Sequence, residues 1–136
     1  MLTSDNYFHI SGYMKNSHAI AALAALAQAT RLDTFRLLVK SEPGGVAAGE
    51  LARLVGVPQN TMSAHLSILS RAGLALGERQ SRTIIYRANI KRFQELMLFM
   101  MRDCCGGRPE VCEQIVESIL PCAVPEAKRR ERVAAK

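Results

Sequence analysis

The sequence predicts a mainly α-helical protein carrying a single β-hairpin. Three observations lead to that class. Apolar residues recur at helical spacing through most of the first 70 positions. After Gly73 the texture changes once, to two short segments, the second rich in β-branched residues and tyrosine. The chain has 136 residues, the length of one domain. Apolar residues make up 49% but aromatic residues only 5%, so the core must come from Leu, Ala, Ile, Val and Met. A domain this small buries a limited share of its surface, and a dimer interface is a natural supplement.

Residues 1–15 show no period and read as an N-terminal arm. A helix follows from Asn16 or Ser17, "SHAIAALAALAQA", with Ser17 as candidate N-cap and many alanines that let another helix approach closely. The next helix, "TRLDTFRLLVK", repeats Leu32, Phe35, Leu38 and Val39 at helical spacing, with Thr30 as candidate cap. "SEPGG" breaks the pattern. A short helix, "AAGELARLVG", is expected to turn Leu51, Leu54 and Val55 inward and to end at Gly56. After a turn of about three residues comes "VPQNTMSAHLSILSRAG", with Pro58 in its first turn, an apolar stripe of Met62, Leu66 and Leu69 joined by Ile68, and Gly73 at its end.

"LALGERQ" and "TIIYRAN", separated by a polar tip, read as a hairpin. A strongly apolar helix runs from about Ile90 to Arg102, with Phe93, Leu96, Met97, Met100 and Met101 on a wide face and Phe99 beside them. So much apolar surface in so small a domain points to packing against another chain. "PEVCEQIVESIL" reads as a last amphipathic helix that Pro121 stops, and residues 123–136 form a basic tail expected to be disordered. The organisation is therefore an arm at 1–15, a main domain at 16–103, a cysteine-containing segment at 104–122 and the tail.

Helix, helix, helix-turn-helix, hairpin and helix, in that order, make a winged helix-turn-helix. Gln59, Asn60, Thr61 and Ser63 at the start of its second helix are small polar groups that can enter a major groove and reach base edges. Such residues also begin helices simply as caps, and it is the full order of elements that favours DNA. Arg71 lies on later turns of the same helix. The hairpin carries Arg79, Arg82 and Arg87, which suit phosphate or minor-groove anchoring, with Gln80 or Ser81 assisting. The net charge of +6 agrees with an anionic partner. Much of it lies in the tail, yet without the five basic and two acidic residues of 126–136 the body keeps 13 basic against 10 acidic.

The N-terminus lacks the pattern of a signal peptide, and "AIAALAALAQA" is too short to span a membrane. The expected location is the cytoplasm, with no membrane partner. There, clustered cysteines are metal-binding or redox-active more often than structural disulfides. His9, His18 and His65 stand without a second ligand at helical spacing and do not read as a metal site.

"LAQATRLDTFRLLV" and "GELARLVGVPQNTMSAHLSILSRAGLALGERQSRTIIYRAN" resemble the ArsR/SmtB metalloregulators, homodimeric winged-helix repressors that leave their operators when an inducer binds. The resemblance covers roughly residues 17–101, with "SAHLSILSRAGL" its most specific part. It implies a homodimer built on the first helix and the Met-rich helix, reading two half-sites of operator DNA. It also implies a packing or DNA-backbone role for His65. Ser81 stands where the family usually has a wing glycine, and Pro58 where it has Ser or Thr. Two familiar metal sites of the family have no counterpart: "GELARLVG" holds no cysteine pair, and "NIKRFQELMLFMM" holds no Asp or His ligand.

The remaining chemistry is "DCCGGRPEVC". Neighbouring residues on a helix point about 100° apart, so Cys104 and Cys105 converge only if the chain unwinds, which Gly106 and Gly107 permit. Pro109 starts the next helix and puts Cys112 near its first turn, where amide dipoles favour a thiolate. Three thiolates suit a soft, pyramidal acceptor such as trivalent arsenic or antimony, whereas zinc usually takes four ligands. The segment resembles that of arsenite-responsive ArsR proteins, and this resemblance implies As(III), with Sb(III) beside it, as inducer on Cys104, Cys105 and Cys112. Cys122 reads as a bystander. A buried thiol cluster and a redox or persulfide sensor remain alternatives. A thiol enzyme such as an arsenate reductase has little support: there is no CxxC, no Cys-x5-Arg and no Cys–His pairing, so neither catalytic residues nor a catalytic cofactor are expected.

Overall fold

The computed structural model describes residues 14–104 and 108–123, the side chains of 103–104 and 120–123 excepted. Residues 1–13 of the expected arm at 1–15, the Gly106–Gly107 turn and residues 124–136 of the expected tail lie outside the described residues. The elements in order are α1 (Asn16–Leu26), α2 (Ala29–Lys40), β1 (Val46–Ala47), α3 (Ala48–Val55), α4 (Gln59–Arg71), β2 (Ala75–Gln80), β3 (Thr83–Ala88), α5 (Ile90–Phe99), a π-helical turn (Met100–Cys104) and α6 (Pro109–Ala123). The chain divides into two compact units, Met1–Met97 and Leu98–Lys136.

In the first unit α2 packs against α1, α3, α4 and β3, and α4 packs against α1, α2, α3 and β2. Ala19, Ala22 and Ala25 form the buried face of α1, and their small side chains allow the close approach expected of them. Lys15 occupies the N-cap position of α1 without a side-chain bond, so Ser17 lies inside the helix and does not cap it. Gln28, not Thr30, caps α2: its extended backbone places Oε1 2.9 Å from the Arg31 N–H. Thr30 is already helical, and its carbonyl accepts the buried Thr34 hydroxyl at 2.7 Å.

Phe35 and Leu38 of α2 are buried, but Leu32 and Val39 are not. In α3 the inward residues are Leu51 and Ala52, and Leu54 is 49% exposed instead of buried. At about 100° per residue Leu54 falls some 160° from Ala52, on the far side of Leu51. Gly56 ends α3 at φ +80°, its N–H donating to Ala52 O at 2.9 Å. Pro58 is the N-cap residue of α4 and stands just outside its first turn. Met62, Leu66 and Leu69 are wholly buried, as their spacing requires, and Gly73 closes the helix at φ +80°.

The hairpin pairs Ala75 with Ala88 through Gln80 with Thr83, leaving Ser81 and Arg82 as its tip. A third strand, β1, pairs with β3 through Val46–Tyr86 and Ala47–Ile85, giving the order β1-β3-β2. Gly45 makes this pairing possible. It stands at φ +82°, and a Cβ there would come within 2.8 Å of Arg87 Cγ, Ile85 Cγ2 and the Tyr86 carbonyl.

Phe93 of α5 meets Phe35 with ring centroids 5.3 Å apart at a 50° tilt. The α-helix does not continue to Arg102 as its composition suggests. It ends at Phe99 and widens into the π turn, which carries Met100 and Met101. In the second unit α6 runs to Ala123, so Pro121 lies within it and does not stop it. A proline so near the end of a helix forfeits a single backbone bond. Among the described residues no helix is long and apolar enough to cross a membrane.

Candidate nucleic-acid interface and cysteine segment

The buried stripe of α4 determines what its other faces can present. Opposite Met62, Leu66 and Leu69, the helical period sets Asn60, Ser63, Ser67 and Arg71 on one side. All four are exposed. Ser67 joins this face although its lone position mid-helix drew no attention in the sequence; the stripe spacing is the signal that identifies it. The Ser67 carbonyl accepts Arg71 Nε at 3.4 Å, which lays the arginine back along the helix. Asn60 Oδ1 accepts the Thr61 N–H at 3.0 Å, so its amide nitrogen stays available. Gln59 is exposed, with its Nε2 lying over Gly49 of α3, where an added Cβ would be 3.4 Å away.

Thr61 and His65 occupy a different flank of α4 and are half-buried. His65 Nδ1 faces Arg31 of α2, 3.5 Å from its Nη1. Arg31 Nε in turn donates to the Ala25 carbonyl at 2.7 Å. This one guanidinium therefore joins the last turn of α1, the first turn of α2 and the middle of α4. Arg31 was not legible as a site residue, because its partner stands 34 positions away.

The wing arginines divide into two kinds. Arg82 in the tip and Arg79 near the end of β2 are exposed and have no hydrogen-bond or ion-pair partner among the described residues. Ser81 between them holds φ +59°, a left-handed conformation that glycine adopts without strain. Arg87 stands at the base of the hairpin, and its Nη2 donates to Glu42 Oε2 at 2.6 Å. That carboxylate raises the Arg87 pKa above its usual value by hydrogen bonding and charge. Arg87, expected among the DNA anchors, is thus tied to the loop after α2. On α3, Arg53 chelates Glu50 at the surface and by that hydrogen bond holds its carboxyl below the ordinary carboxylate range.

The base of α5 is fastened to the end of α4. Asn89 Oδ1 accepts the Arg92 N–H at 3.2 Å as the N-cap of α5. Its Nδ2 donates to the Gly73 carbonyl at 2.8 Å, and its backbone N–H donates to Leu74 O at 2.8 Å.

Of the three candidate thiols, Cys112 is described. It lies in the first turn of α6, is partly exposed, and its Sγ donates to the Met101 carbonyl at 3.4 Å. Its backbone N–H reaches Arg108 O at 3.2 Å. Cys104 ends the π turn with its side chain outside the described set, and Cys105 lies outside it altogether. Among the described residues no group of three His, Cys, Asp or Glu side chains could hold a metal ion. The Cys122 side chain also lies outside the description.

Comparison with known proteins places this arrangement. A family of helix-turn-helix domains matches residues 26–78. NolR from Sinorhizobium fredii is 33% identical over 62% of this chain and 82% of its own, with a TM-score of 0.51. The homodimeric winged helix-turn-helix DNA-binding domain of Mb0332 from Mycobacterium bovis, a possible ArsR-family transcriptional regulator, is 26% identical over 62% and 76%, at 0.53. An ArsR-like transcriptional regulator from Rhodococcus sp. RHA1 shares the fold at 21% identity over 76% and 92%, at 0.59. No curated protein matches the chain.

Proposed function

The chain belongs to the ArsR family of winged helix-turn-helix regulators, and from that premise we propose that it is a homodimeric, cytoplasmic repressor released from its operator by trivalent arsenic. The observation that carries the DNA half is the exposed polar face of α4, together with two wing arginines that have no partner among the described residues. Asn60, Ser63 and Ser67 read base edges, Gln59 and Thr61 border them, and Arg71, Arg79 and Arg82 neutralise phosphates. His65 supports α4 from within through Arg31. Dimerisation uses α1 and α5, on which Ile20, Leu23, Met97 and Leu98 are exposed apolar residues.

The inducer half rests on three cysteines within nine residues directly after α5. Cys104, Cys105 and Cys112 offer three thiols without imidazole or carboxylate, a donor set that suits As(III) or Sb(III). Cys112 fits that role: it is partly exposed and at a helix start, where the dipole favours a thiolate. Capture of its sulfur removes the Sγ–H bond to Met101 O and so acts on the turn that extends α5. A coupling of a few kcal/mol then lowers operator occupancy markedly.

The test is titration of a fluorescent operator complex with arsenite, antimonite, cadmium, zinc and peroxide. Arsenite and antimonite are expected to release the DNA, and the C104S/C105S/C112S variant is expected to hold it. Release of that variant by arsenite would sink the reading. Release by peroxide alone would move the function to redox sensing through the same thiols.

A further inference from the structure

α2 presents a second surface that DNA binding leaves unused. Leu26, Leu32, Phe35, Val39 and Phe93 wall a hollow of about 310 Å³. Leu32 and Val39 are 41% and 39% exposed at its edge, and the tilted Phe35–Phe93 pair forms its floor. Among the described residues the charged groups lining it are Arg36 and Lys40. These stand four residues apart on one helix and therefore on one side of it. Neither has an ion-pair or hydrogen-bond partner among the described residues. The same two cations, together with Asp33, also border a neighbouring hollow of about 260 Å³, between α2 and α3.

We propose that this hollow binds a single-chain amphipathic anion, of the class of free medium-chain carboxylates. Its apolar walls repel a polar body, and among the described residues the charges beside them are both cationic. A ligand with an apolar chain and one carboxylate satisfies both. The volume lies at the small end of the range for small-molecule sites, roughly 300–1,000 Å³, which suits one chain and not a two-tailed lipid. Docking of α1 from a second copy answers the chemistry less well. Its exposed apolar residues are Ile20 and Leu23, but "NSHAIAALAAL" contains no acidic residue to meet Arg36 and Lys40. The site goes beyond the arsenic-responsive reading and does not depend on it.

The experiment is calorimetric titration of the full chain, without DNA or arsenite, with decanoate and with 1-decanol below their aggregation limits. One decanoate per chain is expected, with decanol bound at least about tenfold more weakly. The R36Q/K40Q variant is expected to lose that preference while its helical circular dichroism and melting temperature are kept. A V39Q variant, which spoils the wall and leaves both charges, is expected to weaken both ligands alike. Absence of saturable binding, equal affinity for the two ligands, or an unaltered R36Q/K40Q variant would each overturn the site. So would binding that disappears as the chain dimerises, because a second copy would then be the occupant.

Discussion

Asn89 Nδ2 donates to the Gly73 carbonyl at 2.8 Å and so fastens the start of α5 to the end of α4. The same side chain caps α5 through Arg92, which gives one residue two structural duties. Gly73 suits the arrangement because it holds φ +80°, and a Cβ there would press on Arg92 Nε at 2.7 Å. The second helix of the helix-turn-helix and the helix leading to the cysteines thus share one side chain at their junction.

Asn89→Ala removes both bonds and is expected to destabilise the protein by about 2 kcal/mol, from a lost cap and a lost part-buried hydrogen bond of about 1 kcal/mol each. Asn89→Asp retains the cap acceptor and loses only the donor to Gly73. Urea denaturation should therefore rank native above Asp above Ala. If the Ala and Asp variants proved equally stable, capping would contribute nothing at this junction.

Gly45 and Gly44 provide a matched pair. Gly45→Ala must hold a left-handed backbone and place its methyl against β3, so a loss of at least about 2 kcal/mol is expected. At Gly44 the nearest atom to an added Cβ is Ser41 O at 3.9 Å, and alanine there should change stability by less than about 0.5 kcal/mol. Thermal melts of the two variants check this directly. Equal melting temperatures would mean that β1 does not pair closely with β3.

Arg79→Ala and Arg82→Ala are each expected to weaken operator binding across all sequences. Together they should reduce the slope of log K against log salt by about 2, one counterion for each phosphate contact. Asn60→Ala should instead lose discrimination between operator and random DNA with the salt slope unchanged. Arg87→Ala should act chiefly on stability, since its guanidinium is engaged by Glu42. Anisotropy titrations at several salt concentrations separate these outcomes. An Arg87→Ala variant with native stability and a reduced salt slope would return that residue to the DNA interface.

The helix-turn-helix was legible because each signal in it is local. Met62, Leu66 and Leu69 repeat at the helical period, Gly56 and Gly73 stop the two helices, and the β-branched run before Arg87 marks a strand. β1 was not legible, since two residues carry no period and its reason to be extended is β3, almost 40 positions later. The inward assignment of Leu54 failed because composition marks a residue as apolar without saying which face the neighbours cover. The reach of α5 failed similarly: "LFMMR" suits a helix, but the geometry opens into a π turn at Met100. For the cysteine segment, the sequence spacing remains the principal support for Cys104 and Cys105, and the structure adds the environment of Cys112.

The sequence by itself determined the order of elements, the buried stripe of α4 and the clustering of thiols after α5. Each depends on residues within a turn or two of one another, where spacing alone dictates which side chains share a face. Only the tertiary structure decided which polar groups are free to act. Arg87 is occupied by Glu42 and His65 is faced by Arg31, whereas Arg79 and Arg82 stand open. Those partners lie 45 and 34 residues away along the chain, and a charge is available or engaged according to what the fold brings beside it.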